Sequence, residues 1–479
     1  MKKSFLLIVL LLILSNVYGQ NNNGNNGTNK TSIVSKNVEQ TQKSNEIKIT
    51  DLTIDIDEAV AIALINNLNI KSNKLDLDYK KWSRYMVWNN FLPSINSSIV
   101  WNRGNAWEST IESSGILISN PSPEWSFGAS ISLNWNLNAA LIFGAMATLQ
   151  DYQSGKLNFE VAKNTLMLNV RKSFYYFLLL KRRIEMKEEQ MANSLKRVEQ
   201  ADINFRNGRI SEYDMLGTKV YYENLKPELV SLKNSYNTSL LQFQQLIGLE
   251  DDVKLNFVGT LSFDSKNLDS FDYHSLVNKY VENRLDIQIQ KHSIKLLGIS
   301  KNATIAQMTP SFSLGVGYSP NFQENIFKPG SWNKDKKNSW KDGGSFRFGF
   351  SLALDPLLPF STTQMNIIQI QNNIKKSEIG LQQLRLNAKL EIQTFVTNIE
   401  KSKQTLSSLK ENIALAQKAY TMAEQAFRAG AKDRLSVENS QLDLDNAKLN
   451  LLMEEYNYLI NILDLENAIN SSLENEVVK

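Results

Sequence analysis

Residues Ser126 to Asn138 read S-F-G-A-S-I-S-L-N-W-N-L-N. Phe127, Ala129, Ile131, Leu133, Trp135 and Leu137 are apolar, and every position between them is Ser, Gly or Asn. Period two describes a strand with one oily and one wet face. The wet face carries no charge, and the length suits a membrane-crossing strand of ~9–11 residues. Taken alone, the same pattern also fits a half-buried strand of a soluble sandwich.

Three other stretches alternate in the same way. Ser311 to Ser319 sets Phe312, Leu314, Val316 and Tyr318 against Ser and Gly. Ser345 to Asp355 sets Phe346, Phe348, Phe350, Leu352 and Leu354 against Ser345, Arg347, Gly349 and Ser351. Ser94 to Asn102 is weaker, with Ile95, Ile99 and Trp101 against Asn96, Ser98 and Asn102. A sheet facing lipid must close, because no water reaches its edge groups. Four strands cannot close, since single-chain barrels start at about eight. Strands in a membrane therefore imply several chains sharing one barrel. The residues expected to face lipid are Phe127, Ile131, Leu133, Trp135, Phe312, Leu314, Val316, Phe348, Phe350 and Leu352.

The rest of the chain is helical in pattern. A helix is expected from Ile54 to Phe91, stopping before Pro93. A second runs from Ala139 to Phe205, ~65 residues or ~100 Å. Val170, Ser173, Phe177, Leu180, Ile184, Lys187, Met191, Ser194, Val198, Ala201 and Phe205 fall at alternating spacings of three and four along it. That is a coiled-coil seam interrupted by Ser173, Lys187 and Ser194. Gly208 breaks the helix, and Ser211 is placed to cap a return helix from Glu212 to about Ile247, kinked by Pro227.

The second half repeats the first. Ile54-Asp55, Asn69-Ile70 and Pro93 match Phe271-Asp272, Asp286-Ile287 and Pro310, all at one constant offset. The seam returns from Ile392 to Phe427, and Phe205-Arg206-Asn207-Gly208 matches Phe427-Arg428-Ala429-Gly430, both at a second, slightly larger offset. Duplication follows. The expected repeats are residues 49–248 and 271–466, with tip turns at 207–211 and 429–433. A linker, 249–270, carries a short strand from Lys254 to Val258, and a tail follows from 467 to 479.

Composition bounds the function. The chain has 479 residues, 42% hydrophobic and 21% charged, ordinary for a folded protein. A net charge of +4 is too slight to argue for nucleic acid. Cysteine is absent, which excludes disulfides and a lipid attached through cysteine. No apolar run reaches ~18 residues, so no membrane-spanning helix is expected in the mature chain. Lys2 and Lys3, the apolar run Phe5 to Leu14, and Val17 and Gly19 describe a secretory signal over residues 1–19. A signal anchor is the alternative, for which the run is short. Residues 20–48 form an Asn-rich lead expected to be disordered.

The chain resembles the TolC-type outer-membrane factor family over nearly all of its mature length. The resemblance rests on Ile54-Asp55-Ile56-Asp57-Glu58-Ala59-Val60, Ala63-Leu64, Asn66-Asn67, Phe91-Leu92-Pro93, the duplication, and the two turns Phe205 to Leu216 and Phe427 to Asn439. It implies a mainly α protein with a membrane β-barrel. Three chains of four strands would share a twelve-stranded barrel, and long antiparallel coiled-coil helices would form a periplasmic tunnel. It implies a homotrimer in the outer membrane that docks a periplasmic adaptor and an inner-membrane transporter of the RND, MFS or ABC class. Adaptor contact is implied at Asn207, Gly208, Arg209, Ala429, Gly430 and Ala431, where helix capping is the plainer role. An acidic tunnel mouth is implied at Asp214. Its counterpart is Ser436, with Asn439 beyond it and Asp433 and Glu438 nearby, so the acidic ring is thinner here. Asp214 also fits as a helix-N-terminal acid.

No catalytic pattern is present. His274 and His292 sit in polar helical context and read as solvated residues rather than metal ligands, and no cofactor is expected. Trp101, Trp107, Trp125, Trp135, Tyr318 and Phe346 bracket the strands as interface aromatics do. Lys328, Lys334, Lys336, Lys337 and Lys341 make the second strand loop basic. The expected function is an exit duct for drugs or other small solutes in a tripartite efflux system. The alternatives are a duct for type I protein secretion with an ABC exporter, and a periplasmic coiled-coil scaffold that transports nothing.

Overall fold

The computed structural model describes residues 51–104, 108–113, 116–121, 125–250, 253–261, 272–322, 340–341, 343–471 and 473. The expected signal, the Asn-rich lead, Trp107, the loop lysines and the last residues of the tail lie outside the described positions or side chains. The first two residues of β1 (Asp51–Ile54) and of β6 (Lys254–Phe257) belong to a small unit of their own. The remainder is one main unit.

Ile54, expected to open a helix, lies in β1, which pairs with β6. Helix α1 (Ile56–Asn66) starts just after it under a capping box. The Asp55 carboxylate accepts the Glu58 N–H at 2.8 Å, and Glu58 accepts the Asp55 N–H at 3.3 Å. Buried Asn67 then ends α1 and caps α2 (Leu68–Tyr85), accepting the Ile70 N–H at 3.1 Å and donating to the Leu246 carbonyl at 2.7 Å. The expected single helix to Phe91 is therefore α1, α2 and a 3-10 turn at Met86–Phe91.

Four strands follow: β2 (Ser94–Arg103), β3 (Glu108–Ser113), β4 (Ile116–Pro121) and β5 (Trp125–Leu137). The β3–β4 hairpin lies in the connection between β2 and β5. Next come α3 (Ala140–Arg206) and α4 (Glu212–Ile247). The second half holds α5 (Tyr273–Tyr280), α6 (Leu285–Ala306), β7 (Ser311–Tyr318), β8 (Asn321–Phe322), β9 (Trp340–Lys341), β10 (Gly344–Ser351), α7 (Thr362–Arg428) and α8 (Arg434–Ile469). Helices α3 and α7 each have 67 residues and start at 140 and 362; α4 and α8 each have 36 and start at 212 and 434. Both pairs are displaced by the same offset as the repeated seam. Pro227 lies inside α4 without shortening it.

The coiled-coil seams are where the core is. Val170, Phe177, Leu180, Ile392 and Ile399 are buried, and so are the polar interruptions Ser194 and Ser402. Two rows of helices share α3 and α7. One row runs α2–α3–α6–α7, the other α4–α3–α8–α7. Where α3, α4 and the end of β6 meet, Phe177 stacks on Phe257 at 4.5 Å, and Phe174 and Phe243 pack edge-on against that pair.

A charged clasp joins α6 and α7 beside the 3-10 turn at Val281–Asn283. Glu282 accepts Arg385 through both carboxylate oxygens, at 2.7 and 3.1 Å, and Lys291 at 2.7 Å. These hydrogen bonds, Arg385 first, draw its carboxyl down to about 2. A depressed carboxylate adds stability above its unfolded pKa of ~4.3, and that stability is lost as pH falls through the folded value. Glu282 is half exposed, so the contribution is modest. The Tm advantage of the wild type over Glu282→Gln should accordingly shrink between pH 4.5 and 2 in circular-dichroism melts. An advantage that stays constant across that window would rule the clasp out as its source.

Candidate functional site

Two regions collect the residues that the sequence pointed to. The first is the antiparallel run β10–β7–β5–β2, part of a six-stranded sheet that also extends from β5 through β8 to β9. Its register sorts side chains by face. Ile95, Leu133, Val316 and Phe346 form one cross-sheet row; Trp135, Leu314 and Phe348 a second; Leu137, Phe312 and Phe350 a third. The rows between are Asn96–Ser132–Gly317–Ser345, Ser94–Asn134–Gly315–Arg347 and Asn136–Ser313–Gly349. Hydroxyls pair across the polar face, Ser98 with Ser130 at 2.8 Å and Ser311 with Ser351 at 2.7 Å. The apolar face is bare: Ile95 is 70% and Phe346 73% exposed. Its outer end carries Trp101 against Trp125 at 5.4 Å, with the Arg103 guanidinium over the Trp125 ring.

Of the ten residues named for lipid contact, nine fall on the sheet's apolar face, and Leu352 lies beyond the end of β10. Strand β10 stops at Ser351, and Asp355-Pro356-Leu357 turns as a 3-10 helix. Proline has no N–H to give to a ladder, so the alternation through Leu354 outruns the strand.

The end members of the sheet and of the α2–α3–α6–α7 row are also bare. Leu75, Tyr79, Trp82 and Met86 on and just after α2, and Met365, Ile368, Ile379 and Leu386 on α7, are exposed at coiled-coil spacings. Between β10 and α7, Phe360 stands 98% exposed on a backbone with φ of 79°. That conformation is strained for a bulky residue.

The second region is the pair of helix turns. Gly208 (φ 68°) and Gly430 (φ 72°) take the left-handed conformation. The following N–H groups close the helix ends, Arg209 on the Asn204 carbonyl and Ala431 on the Ala426 carbonyl, both at 2.8 Å. Asn207, Gly208, Arg209, Ala429, Gly430 and Ala431 are all exposed.

The caps that follow use the same two residue types with their places exchanged. Ser211 caps α4, accepting the Asp214 N–H at 3.1 Å and donating to its carboxylate at 2.6 Å. Asp433 caps α8, accepting both the N–H and the hydroxyl of Ser436. Those bonds hold the Asp433 carboxyl below its usual range. The acid missing at Ser436 has thus moved one helical turn back, onto the cap. Asn439 is exposed and Glu438 half-buried.

Arg434 joins the two turns, and the sequence reading passed it over. Its guanidinium donates to Glu438 at 2.7 Å and to the Thr218 hydroxyl at 2.9 Å, and its buried Nε faces Asp214 at 3.8 Å. It lies over Gly217, where a Cβ would come within 2.2 Å of a guanidinium nitrogen. Burial pushes the Glu438 carboxyl up, against the downward pull of Arg434. Only the Arg434–Glu438 spacing of four was visible locally.

Above this latch a polar layer threads all four helices. Gln190 donates to Tyr221 at 3.0 Å and Asp445 at 2.9 Å, and Gln441 donates to Asp445 at 2.9 Å. Arg197 donates to Tyr420 at 2.6 Å and Gln441 at 3.0 Å. Burial raises the Asp445 carboxyl.

The histidines divide. His274 is exposed, whereas His292 is half-buried and hydrogen-bonded to Gln150, an environment its polar sequence context did not suggest. Among the described residues no cluster of three or more His, Cys, Asp or Glu is placed to hold a metal ion. No described helix is long and apolar enough to cross a membrane.

Comparison with known proteins returns one consistent architecture. A family model described as outer membrane efflux protein matches residues 59–249 and 276–471. Outer membrane protein TolC of Escherichia coli K12 is 20% identical over 346 residues, 69% of this chain and 67% of that protein. The fold matches CusC with a TM-score of 0.70 at 15% identity, covering 90% of this chain and 95% of CusC. It matches the Campylobacter jejuni outer membrane channel CmeC with a TM-score of 0.68 at 14% identity, covering 86% and 85%.

Proposed function

Because the chain belongs to the outer membrane efflux protein family, we propose that three copies assemble into a duct that carries small solutes out through the outer membrane. The observation that supports this most is the two-faced sheet with open edges. Its apolar face suits lipid, its polar face suits a water-filled lumen, and β2 and β10 are left without a further neighbour among the described residues. An unpaired edge is not tolerated at membrane depth. Pairing β10 of one copy with β2 of the next continues the antiparallel order, and three copies close twelve strands.

The same two ends carry the bare seams of α2 and α7 and the exposed Phe360, so helix packing between copies would follow the strand order. The protein is read as a non-enzymatic transport component. The turns are its docking tip, where Gly208 and Gly430 keep the backbone accessible and Arg209 reaches outward. The proposed partners are a periplasmic adaptor and, behind it, an inner-membrane transporter.

Photocrosslinking in cells from position 209, with the captured protein identified by mass, tests the partner assignment. Capture of the adaptor of a proton-driven pump is expected. Capture of the adaptor of an ATP-driven protein exporter would move the duct to protein secretion. A protein that fractionates as soluble and captures nothing would leave a scaffold.

A further inference from the structure

On the polar face of β2, β5, β7 and β10 every residue is Ser, Asn, Gly or Val100, with one exception. Arg347 is the single charged residue that these four strands place on that face; on the short β8–β9 extension, Lys341 falls in the row Val100–Gly128–Asn321–Lys341. Arg347 is exposed and makes no ion pair among the described residues. Its row across the sheet is Arg347–Gly315–Asn134–Ser94. The floor around it is held low by close packing. A Cβ at Gly315 would meet the Asn134 side-chain oxygen at 3.3 Å, one at Gly317 the Ser345 hydroxyl at 2.9 Å, and one at Gly349 the Ser313 hydroxyl at 2.5 Å. Space is tight at those three points, and the arginine is the one long side chain that the four strands raise from this face.

An ionisable residue at membrane depth is costly unless it faces water, and such residues mark solute paths. Rings of arginine or lysine favour anions in pores. We infer that Arg347 forms a cationic ring in the barrel lumen, one guanidinium per copy, and that this ring selects for small anionic solutes bearing carboxylate, sulfonate or phosphate groups. The inference rests on the duct proposed above and adds the charge class of its cargo. With no acidic neighbour in its row to neutralise it, the charge acts on whatever passes. The guanidinium fork also offers paired hydrogen bonds to a planar or tetrahedral oxyanion.

The chain has no cysteine, so Ser345→Cys, the neighbouring position along the same face, provides one thiol per copy. The full-length protein in lipid vesicles is treated with two methanethiosulfonate reagents of similar size, one carrying a sulfonate and one a trimethylammonium group. The measured quantity is the ratio of the two modification rates. A nearby cation also favours the thiolate, but that accelerates both reagents and cancels in the ratio.

With Arg347 present the sulfonate reagent is expected to lead. Arg347→Gln should lower the ratio about tenfold, within the range by which charged clefts concentrate ions. Arg347→Lys should keep most of the preference and Arg347→Glu should reverse it. A ratio that is the same with Arg, Gln and Glu at position 347 overturns the cationic ring while leaving the duct intact. Failure of the duct itself would look different. Phe348→Cys, on the apolar face, would then react as fast as Ser345→Cys with both reagents, showing that water reaches both faces.

Discussion

Leu133→Arg is expected to remove the protein from the outer-membrane fraction, while Ser132→Arg, at the adjacent position, leaves it there. Leu133 sits in the cross-sheet row Ile95–Leu133–Val316–Phe346, and Ser132 in the row Asn96–Ser132–Gly317–Ser345. Successive residues of a strand point to opposite faces. If the apolar rows meet lipid, an arginine near mid-depth costs ~2–4 kcal/mol per chain, and every copy of an assembly bears that cost. On the polar face, if that face lines a water-filled lumen, the same side chain would stay in water and join one that the strands already place there, Arg347. Membrane flotation and native gel migration of the two variants decide the matter. Equal behaviour, whether both float or both fail, would remove the assignment of faces.

Arg434→Ala is expected to loosen the tip and raise the conductance of the reconstituted channel several-fold. Arg434 ties α8 to α4 through Thr218 and offsets the charges of Asp214 and Glu438. Without it, two carboxylates share a half-buried space with no cation between them, on the order of 1–3 kcal/mol unfavourable. Arg434→Lys should restore only part of the closure: one nitrogen, Nη1, makes both bonds, which an ammonium can copy, but lysine has no Nε to face Asp214. Asp214→Ala should have a smaller effect, because that carboxylate is 3.8 Å from the guanidinium and already bonded to Ser211. Single-channel recordings of the three variants separate these cases. Unchanged currents in Arg434→Ala would make the latch a stabilising contact with no part in closing the mouth.

The features readable in the sequence are those with a local period. Alternation marked four strands closely, and the three-four spacing marked both long helices, because in each case the apolar residues fall on one side of a regular backbone. The errors come from partners far along the chain. Ile54 continues a helical pattern yet pairs as strand, since its partner β6 comes only after the whole first repeat. Leu352 and Leu354 keep the alternation after Pro356 has already set the next turn. Arg434 drew no notice because locally it offers only an i, i+4 spacing to Glu438; its bond to Thr218 reaches from the second repeat back to the first, and so does the Gln190–Asp445 bond. The exchanged Ser211/Asp214 and Asp433/Ser436 caps were visible as residues, but their equivalence was not. Scored position by position, an acid lost at 436 hides the one gained at 433.

The matched lengths of the helices restrict how this chain can change size. A single-residue insertion into α3 alone would rotate everything beyond it by about 100° and advance it by ~1.5 Å. That would turn Gln190 and Arg197 away from α8 and set the two glycine turns at different levels, out of reach of Arg434. Only whole heptads restore the facing surfaces, and only if they enter α3, α4, α7 and α8 together. A longer or shorter duct is therefore reached by four coordinated changes or none. Variation in length is expected to collect in the connections between strands, where no second copy of the same measure has to be kept.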